Sequence, residues 1–423
     1  MPDDDDREDR VTTSVSRPTQ RPTEDSVREA VIAWRRYLHQ NPELSFHEER
    51  TAQFVAETLA SFGSLAISRP TPTSVVARLI GPRPGPVLAM RADIDALPIE
   101  ERNTHDFVSR NPGVMHACGH DGHTAMLLGA AQVLAARKDD LVGEVRFVFQ
   151  HAEELNPGGA EELVKAGVLD GVGMIVGAHL WLPMPYGRVG VKSGALMASP
   201  DNFVITIKGS GGHAAIPHET TDSIAVAAQV ITNLQHLVAR NVDPLASAVV
   251  SVTRVAGGTT YNVIPGQVEL AGTVRTFDPA LRARIPELMQ RIVGGITAAH
   301  GASFTFEWDA GYRPVINDER ASDLLRRAVV RALGAGVLVE ASPTMGGEDF
   351  SAYQEKVPGS FFFIGARNEE RGITNPHHHE CFDLDERALD SGTRIFVAAA
   401  MEMAATPGAP GTSGRGVPGA RSQ

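Results

Sequence analysis

Residues 116–123 place one cysteine, three histidines and an aspartate close together, in the order His-Ala-Cys-Gly-His-Asp-Gly-His. Thiolate, neutral imidazole and carboxylate are the side chains that bind zinc, manganese, nickel or cobalt. The chain has only two cysteines and 15 histidines among 423 residues, so a chance cluster of this density is improbable. The segment therefore predicts metal chemistry. It also requires a fold that brings further ligands to it from distant parts of the chain.

Length and composition narrow the class of protein. A chain of 423 residues exceeds what one hydrophobic core usually supports, so we expect two domains. The hydrophobic content of 42% is typical of a globular protein, and no apolar run approaches the roughly 18 residues of a membrane span. Residues 1–10 are acidic and lack the apolar stretch of a signal peptide. A net charge of −12 argues against nucleic-acid binding, because phosphate contacts need basic surface. Cys118 and Cys381 form no disulfide framework, so a cytoplasmic location is expected.

Strand-like and helix-like segments alternate along most of the chain. His151, Ala152, Glu153 and Glu154 come directly after a predicted strand at 144–149, and His179 follows a predicted strand at 174–178. Sites in open α/β sheets lie beyond the carboxyl ends of the strands. The pattern predicts an α/β catalytic domain with a mixed sheet flanked by helices.

The middle of the chain has a different order of elements. Strands are expected at 203–208, 247–255, 267–276 and 303–308, with helices at 222–240 and 279–299. This β-α-β-β-α-β order is the split βαβ, or ferredoxin-like, arrangement. We expect a smaller α+β domain at 199–308, inserted into a metal-binding catalytic domain formed by 25–198 and 309–405. Residues 1–24 and 406–423 are rich in charged residues, Pro, Gly or Ser, and are expected to be disordered tails.

Candidate ligands occur in four places along the chain: Cys118 with His120, which are expected in a loop before a helix, Glu153 with Glu154, His179, and the run 377–379. Each has a plain structural explanation when taken alone, namely a solvated glutamate pair, a hydrogen-bonded core histidine or an exposed histidine tract. Together they predict a site for two cations. Adjacent glutamates diverge, so one can bind metal while the other faces water as a general base.

Several short segments resemble those of one family: 39–46, 91–98, 115–124, 151–154, 177–181, 211–215, 261–265, 346–350 and the His-rich stretch that leads to Asp385 and Glu386. They occur in order across roughly residues 26–405. The chain resembles the metal-dependent amidohydrolases that include hippurate hydrolase, the plant auxin-conjugate hydrolases and bacterial N-acyl-amino-acid amidohydrolases. These enzymes are relatives of aminoacylase and of the carboxypeptidase G type.

The resemblance implies two divalent metal ions per subunit, with zinc, manganese, cobalt and nickel as candidates. The implied ligands are Cys118, His120, Glu154, His179 and His378. Counting back from Asp385 and Glu386 selects His378, but His377 and His379 stay open as alternatives.

The resemblance also assigns supporting roles. Glu153 would be the general base, and Asp95 would orient a metal ligand. More distant relatives have a ligand histidine where this chain has Asp93, so Cys118 is expected to compensate.

In the relatives the inserted domain forms a dimer and acts as a lid, and one histidine and one asparagine from it reach the substrate. His213 and Asn262 match those positions. Otherwise His213 would be a turn residue after two glycines, and Asn262 would cap a strand end. Arg275 is a candidate for binding a substrate carboxylate, because guanidinium pairs with carboxylate in a fork; a surface ion pair is the alternative.

The expected activity is hydrolysis of the N-acyl amide bond of N-acetyl, N-benzoyl or other N-acyl amino acids, by a cytoplasmic homodimer. A metallo-dipeptidase or carboxypeptidase is the main alternative. A non-catalytic metal-binding protein is a further alternative, against which Glu153 beside Glu154 argues.

Overall fold

The computed structural model describes residues 22–405. The predicted tails, 1–24 and 406–423, lie outside this range except for 22–24, and the first helix begins at Glu24. The helices are α1 Glu24–Gln40, α2 Glu49–Ser61, α3 His120–Ala136, α4 Ala160–Lys165, α5 Ser223–Asn241, α6 Pro279–Ala299, α7 Glu319–Leu333, α8 Ser351–Gln354 and α9 Arg387–Ala405. Within 22–405, no helix combines the length and the apolar character that crossing a membrane requires.

The strands form two main sheets and two short pairs. They are β1 Ala66–Ser68, β2 Val75–Ile80, β3 Arg83–Asp93, β4 Val142–Gln150, β5 Met174–Pro185, β6 Val189–Val191, β7 Gly194–Met197, β8 Ser199–Lys208, β9 Gly212–His213, β10 Ala248–Ala256, β11 Val263–Ile264, β12 Gln267–Thr276, β13 Ser303–Asp309, β14 Val315–Asn317, β15 Leu338–Glu340 and β16 Gly359–Arg367.

The larger sheet has eight strands in the order β1-β2-β4-β3-β5-β16-β6-β15. Its central strands β4, β3, β5 and β16 are parallel, and antiparallel strands adjoin them on both sides. Helix α3 is buried on nearly all sides, which is the pattern of a helix enclosed within a core. Helices α1, α3, α7 and α9 contribute to one continuous apolar core with this sheet. The predicted mixed sheet flanked by helices is confirmed.

The smaller sheet has four antiparallel strands in the order β10-β12-β8-β13. Phe203, Ile205 and Ile207 alternate along β8 and pack with residues of α5 and α6 in a separate apolar cluster. We call residues 199–309, which hold this sheet and its two helices, the inserted unit. It interrupts the chain between β7 and β14, which pair with each other. Its element order is that of a split βαβ fold.

Two local expectations were wrong. The strand predicted to end at Ala178 continues to Pro185, so His179 lies within β5 rather than after it. The strand continues because β16 still pairs with it, as far as Arg367 with Pro185. The second error concerns His120, which is the first residue of α3 and not part of a loop; the helix begins there because Gly119 adopts a left-handed φ of 97°.

Candidate metal centre

The ends of neighbouring strands bring the site together. Strands β3 and β4 end side by side, with Asp93 paired to Gln150. In β5, Gly177 pairs with Arg91, which places His179 level with those two ends. The segment 151–154 follows β4 directly. The first turn of α3 contacts the same edge, where Thr124 Oγ1 donates to the backbone oxygen of Asp93 at 2.9 Å. Distant parts of the chain therefore deliver their polar side chains to one edge of the larger sheet.

The predicted metal ligands converge in two overlapping groups. In one group the ligand atoms of Cys118, His120 and His179 all lie within 4.8 Å of one another. In the other, those of Cys118, Glu154 and His378 do the same. Cys118 belongs to both groups, and its Sγ lies 3.4 Å from Nε2 of His179. A thiolate shared by two groups of this kind fits two adjacent cations.

Hydrogen bonds orient two of the histidines toward the cluster. Nδ1 of His179 donates to the backbone oxygen of Leu180 at 2.8 Å. Nδ1 of His120 lies 3.1 Å from Oδ1 of Asp95 and 3.0 Å from its backbone oxygen. In both rings Nδ1 is engaged in these contacts, so Nε2 is the atom available to a metal, as in carboxylate–histidine–metal arrangements.

The donor set fits divalent cations. Nε2 of His120 and Oε1 of Glu154 are buried, yet neither has a hydrogen-bond partner within residues 22–405. An unpaired buried polar atom costs about 1–3 kcal/mol, more when it is charged. Cations bound between these atoms would remove that cost, and thiolate, imidazole and carboxylate are suitable ligands.

Asp95 connects two parts of the site. Besides His120, its carboxylate accepts a hydrogen bond from the backbone N–H of Glu154 at 2.9 Å and another from Ser45 Oγ at 2.7 Å. The side chain is buried, so these contacts fix its orientation. The structure therefore places Asp95 where it orients one candidate ligand and holds the backbone of another.

Burial and charge set the protonation of the ligands. Burial raises the pKa of the Cys118 thiol well above its usual range, and Glu154 and Glu153 raise it further. Burial lowers the pKa of His179 well below its usual range, so this ring is neutral. For His120, burial works against the charged ring, but Asp93 and Asp95 outweigh it and raise the pKa to about 10. Cation binding would release the protons of Cys118 and His120.

Glu153 lies beside the ligand cluster. Its Oε2 is 4.0 Å from Nε2 of His120, and its side chain is buried in the cavity wall. Burial raises the pKa of Glu153 well above its usual range, and the nearby carboxylates of Glu348 and Glu154 add to the rise. A carboxylate that holds a proton readily is suited to accept one from water.

The three consecutive histidines have different surroundings. Nε2 of His378 lies 3.3 Å from Oε1 of Glu154, and its backbone N–H donates to Ala117, next to Cys118. His378 has a φ of 65°, an unfavourable conformation for a non-glycine residue, which the fold maintains here. His377 instead donates from Nε2 to the Leu180 backbone oxygen, and Nδ1 of His379 accepts from Cys381. Only His378 of the three takes part in the two overlapping groups above.

A buried ion cluster behind the site was missed by the sequence reasoning. The guanidinium of Arg91 lies 2.7 Å from Asp93, 2.9 Å from Glu348 and 2.8 Å from Asp349. Asp93 also contacts Nδ1 of His123 at 2.6 Å. Both Arg91 and Glu348 belong to segments that carried the family resemblance, but neither was given a role. Asp93 here supports the ring of His123 and lies 3.7 Å from Nε2 of His120.

A cavity of about 420 Å³ opens beside the cluster. Its walls include Trp181, Asn202, Arg275 and Tyr312 together with Glu153. Arg275 donates to Thr273 Oγ1 and to the backbone oxygen of Val274, and it has no ion pair within the described part of the chain. The alternative of a surface ion pair is therefore not what the structure contains, and the guanidinium is available to a ligand in the cavity.

His213 and Asn262 lie elsewhere. They are exposed neighbours at the edge of the inserted unit, where the N–H of Ala214 donates to the Asn262 backbone oxygen at 3.1 Å. Neither belongs to the lining of the cavity described above. The structure does not bring them to the candidate ligands.

Comparisons with known proteins agree with this geometry. The model of peptidase family M20/M25/M40 matches residues 89–402. An N-acyl-L-amino acid amidohydrolase of Geobacillus stearothermophilus is 64% identical over 293 residues, which are 69% of this chain and 79% of the relative. N-acetylcysteine deacetylase of Bacillus subtilis is 46% identical over 88% of this chain and 96% of its own.

A solved structure gives the same result. The Bacillus subtilis YXEP protein, described as a dinuclear metal binding peptidase of the M20 family, superposes with a TM-score of 0.79. It is 42% identical, and the match covers 90% of this chain and 99% of that one. These similarities confirm the resemblance drawn from the motifs. The chain belongs to peptidase family M20/M25/M40 and is a hydrolase that acts on amide bonds.

Proposed function

We propose that this chain cleaves the N-acyl amide bond of N-acyl amino acids, which yields a carboxylic acid and a free amino acid. The observation that carries the proposal is the pair of ligand groups sharing Cys118, with Glu153 beside them in the same cavity. The similarity to an N-acyl-L-amino acid amidohydrolase and to N-acetylcysteine deacetylase supports this class of substrate.

The proposed ligands are Cys118, His120, Glu154, His179 and His378. Two divalent cations, for which zinc, manganese, cobalt and nickel are candidates, would supply Lewis acidity and lower the pKa of bound water. Glu153 takes a proton from the attacking water and delivers it to the leaving nitrogen, as one residue acting first as base and then as acid. Asp95 keeps His120 in the required tautomer throughout.

Arg275 is the proposed contact for the carboxylate of the amino-acid half of the substrate. Its guanidinium lines the cavity and has no carboxylate partner within residues 22–405. Burial lowers the pKa of Arg275, but the group stays charged at neutral pH. A substrate carboxylate would replace the water that burial removes from the guanidinium, by accepting two parallel hydrogen bonds from it.

We further propose a homodimer, located in the cytoplasm, in which His213 and Asn262 complete the site of the partner subunit. Their position outside the cavity of their own subunit supports this arrangement. Coexpression of Glu153→Gln and His213→Ala chains with different tags tests it. If the residues act between subunits, the purified heterodimer regains one working site although each parent homodimer is inactive. A heterodimer as inactive as its parents would contradict the exchange.

A substrate panel tests the activity itself. Metal-depleted protein is reconstituted separately with zinc, manganese, cobalt or nickel and assayed with N-acetyl amino acids, hippurate and unblocked dipeptides. We expect the N-acyl amino acids to have the highest kcat/KM. Faster hydrolysis of free dipeptides would favour the metallo-dipeptidase or carboxypeptidase alternative. Full metal loading without turnover of any substrate would favour a non-catalytic metal-binding protein.

A further inference from the structure

The segment that carries Glu153 is held by side chains from three different parts of the chain. Oε1 of Glu48 accepts from the N–H of Ala152 at 2.8 Å, and Asp95 accepts from the N–H of Glu154. The hydroxyl of Tyr312 donates to the backbone oxygen of Glu153 at 2.7 Å. Ala152 has a φ of 51°, which a non-glycine residue keeps only where its surroundings impose it. The backbone around Glu153 therefore depends on these three contacts.

Tyr312 differs from the other two residues in its location. Glu48 directly precedes α2 and Asp95 follows β3, both outside the inserted unit, whereas Tyr312 lies in the linker 310–314 between β13 of the inserted unit and β14. This linker is one of the two chain crossings between the inserted unit and the rest of the protein. Its conformation must change if the inserted unit rotates.

The residue before Tyr312 is fixed to the inserted unit. The N–H of Gly311 donates to Oδ1 of Asp201 at 3.0 Å, and its backbone oxygen accepts from Arg282 at 2.7 Å. Arg282 of α6 also forms two hydrogen bonds with Asp201 of β8, at 2.8 and 2.7 Å. A Cβ atom at position 311 would lie 2.0 Å from the backbone oxygen of Pro200, so only glycine permits this approach. We call Arg282, Asp201 and Gly311 the linker clasp.

We propose that Tyr312 is a positioning residue that couples the orientation of the inserted unit to the placement of Glu153; this rests on the proposed role of Glu153 as general base. The clasp moves with the inserted unit, and consecutive Cα atoms are only about 3.8 Å apart, so Tyr312 must follow Gly311. Depending on the orientation of the inserted unit, the Tyr312 hydroxyl then either keeps or loses its hydrogen bond to the backbone oxygen of Glu153. A displacement of about 1 Å at a reacting group can cost roughly 100-fold in rate. The base would be correctly placed only in one orientation of the inserted unit.

Tyr312→Phe tests the inference because it removes only the hydroxyl. We expect kcat to fall about 10- to 100-fold with KM changed less than about twofold and metal content unchanged. Tyr37→Phe is the matched control, since Tyr37 lies on α1 and stacks on Phe54 far along the chain from this linker. A change confined to KM would show that the Tyr312 hydroxyl only contacts substrate, and would overturn the inference. So would an unchanged kcat.

A double variant tests the coupling to the clasp. Arg282→Lys keeps the charge but loses the fork that joins Asp201 to Gly311. If both residues act through the hydrogen bond from Tyr312 to Glu153, Arg282→Lys alone lowers kcat. The double variant should then have the same kcat as Tyr312→Phe alone. Additive losses would contradict the coupling. Circular dichroism and melting temperature establish that each variant is folded.

Hydrogen exchange provides a readout that is independent of turnover. In metal-depleted protein, the peptide containing 151–154 should exchange faster in Tyr312→Phe and Arg282→Lys than in the wild type or Tyr37→Phe. Equal exchange in all four proteins would refute the inference. Glu153→Gln is assayed in parallel. If it retains turnover, the base assignment fails; if it is inactive while Tyr312→Phe behaves as wild type, only the coupling fails.

Discussion

Sγ of Cys118 lies 3.4 Å from Nε2 of His179, and the same sulfur belongs to the group formed with Glu154 and His378. His120 of α3 and His179 of β5 complete one group, and Glu154 after β4 and His378 before α9 complete the other, so a single thiol connects both halves of the candidate centre. Because burial raises the pKa of this thiol, a cation is needed to ionise it.

Cys118→Ala should therefore deplete metal at both positions and abolish turnover, because each ligand group loses a member. Metal content is measured by atomic emission after dialysis against a weak chelator. Cys381→Ala is the matched control, since Cys381 is the other free cysteine and belongs to neither group. A Cys118→Ala protein that retains two metal equivalents would contradict the ligand role.

The adjacent glutamates should separate into two phenotypes. Glu153→Gln should lower kcat by about 10²- to 10⁴-fold while metal content stays near that of the wild type, because a general base is lost. Glu154→Gln should lose metal, since Oε1 of Glu154 is buried, accepts no hydrogen bond within residues 22–405 and lies 3.3 Å from Nε2 of His378, another candidate ligand. Calorimetric titration of the metal-depleted proteins with zinc distinguishes the two. If Glu153→Gln lost metal and Glu154→Gln kept metal but lost turnover, Glu153 would be the ligand and Glu154 the base.

Arg275→Gln should weaken recognition of the substrate carboxylate. Hydrogen bonds to charged groups contribute about 1.5–3 kcal/mol, so kcat/KM for N-acetyl amino acids should fall roughly 10- to 100-fold. The corresponding N-acetyl amino-acid amides, which lack the carboxylate, should be affected much less. Arg254→Gln is a control, because Arg254 pairs with Glu269 on the surface of the smaller sheet. Equal losses with both kinds of substrate would exclude carboxylate recognition by Arg275.

Glu48 should make the metal-depleted protein less stable as the pH rises. Burial, together with Asp95, raises the pKa of this carboxyl to about 8 in the folded state, against an ordinary value of 4.5. Between these two pH values the folded state holds a proton that the unfolded chain releases. The free energy of unfolding therefore falls from about pH 5 to pH 8, by an amount on the order of 4 kcal/mol.

Glu48→Gln should remove this dependence, because an amide does not titrate in that range. Urea denaturation of both proteins at several pH values measures the difference. The free energy of unfolding of Glu48→Gln, compared with that of the wild type at the same pH, should rise between about pH 5 and pH 8. Parallel curves would show that Glu48 titrates normally.

Local sequence patterns predicted many of the elements, because apolar residues recur along them with the period that places them on one buried face of a strand or helix. The strand at 267–276 and the helix at 279–299 have the predicted bounds, and the helix predicted at 222–240 is shifted by one residue, to Ser223–Asn241. The short strands β6, β14 and β15 were not predicted, because three residues are too few to show a strand pattern. The helix α2 was also missed, although Ala52, Val55 and Leu59 on its buried face have helical spacing.

The kinds of side chain near the candidate centre were also evident from the sequence, because few residue types bind transition metals and they cluster along the chain. Which of them meet was decided by the tertiary structure. The backbone at His378, with its φ of 65°, turns that ring toward Glu154 while His377 turns toward Leu180. Arg91 and Glu348 lie in segments that carried the family resemblance, and Tyr312 does not, but for none of the three did the sequence indicate a partner. Their contacts join segments far apart in the chain. The amino-acid sequence by itself determined the chemistry available and the alternation of elements, both of which are local properties. Only the tertiary structure decided the geometry of the site, because register between distant strands and the path of the linkers depend on the packing of the whole chain.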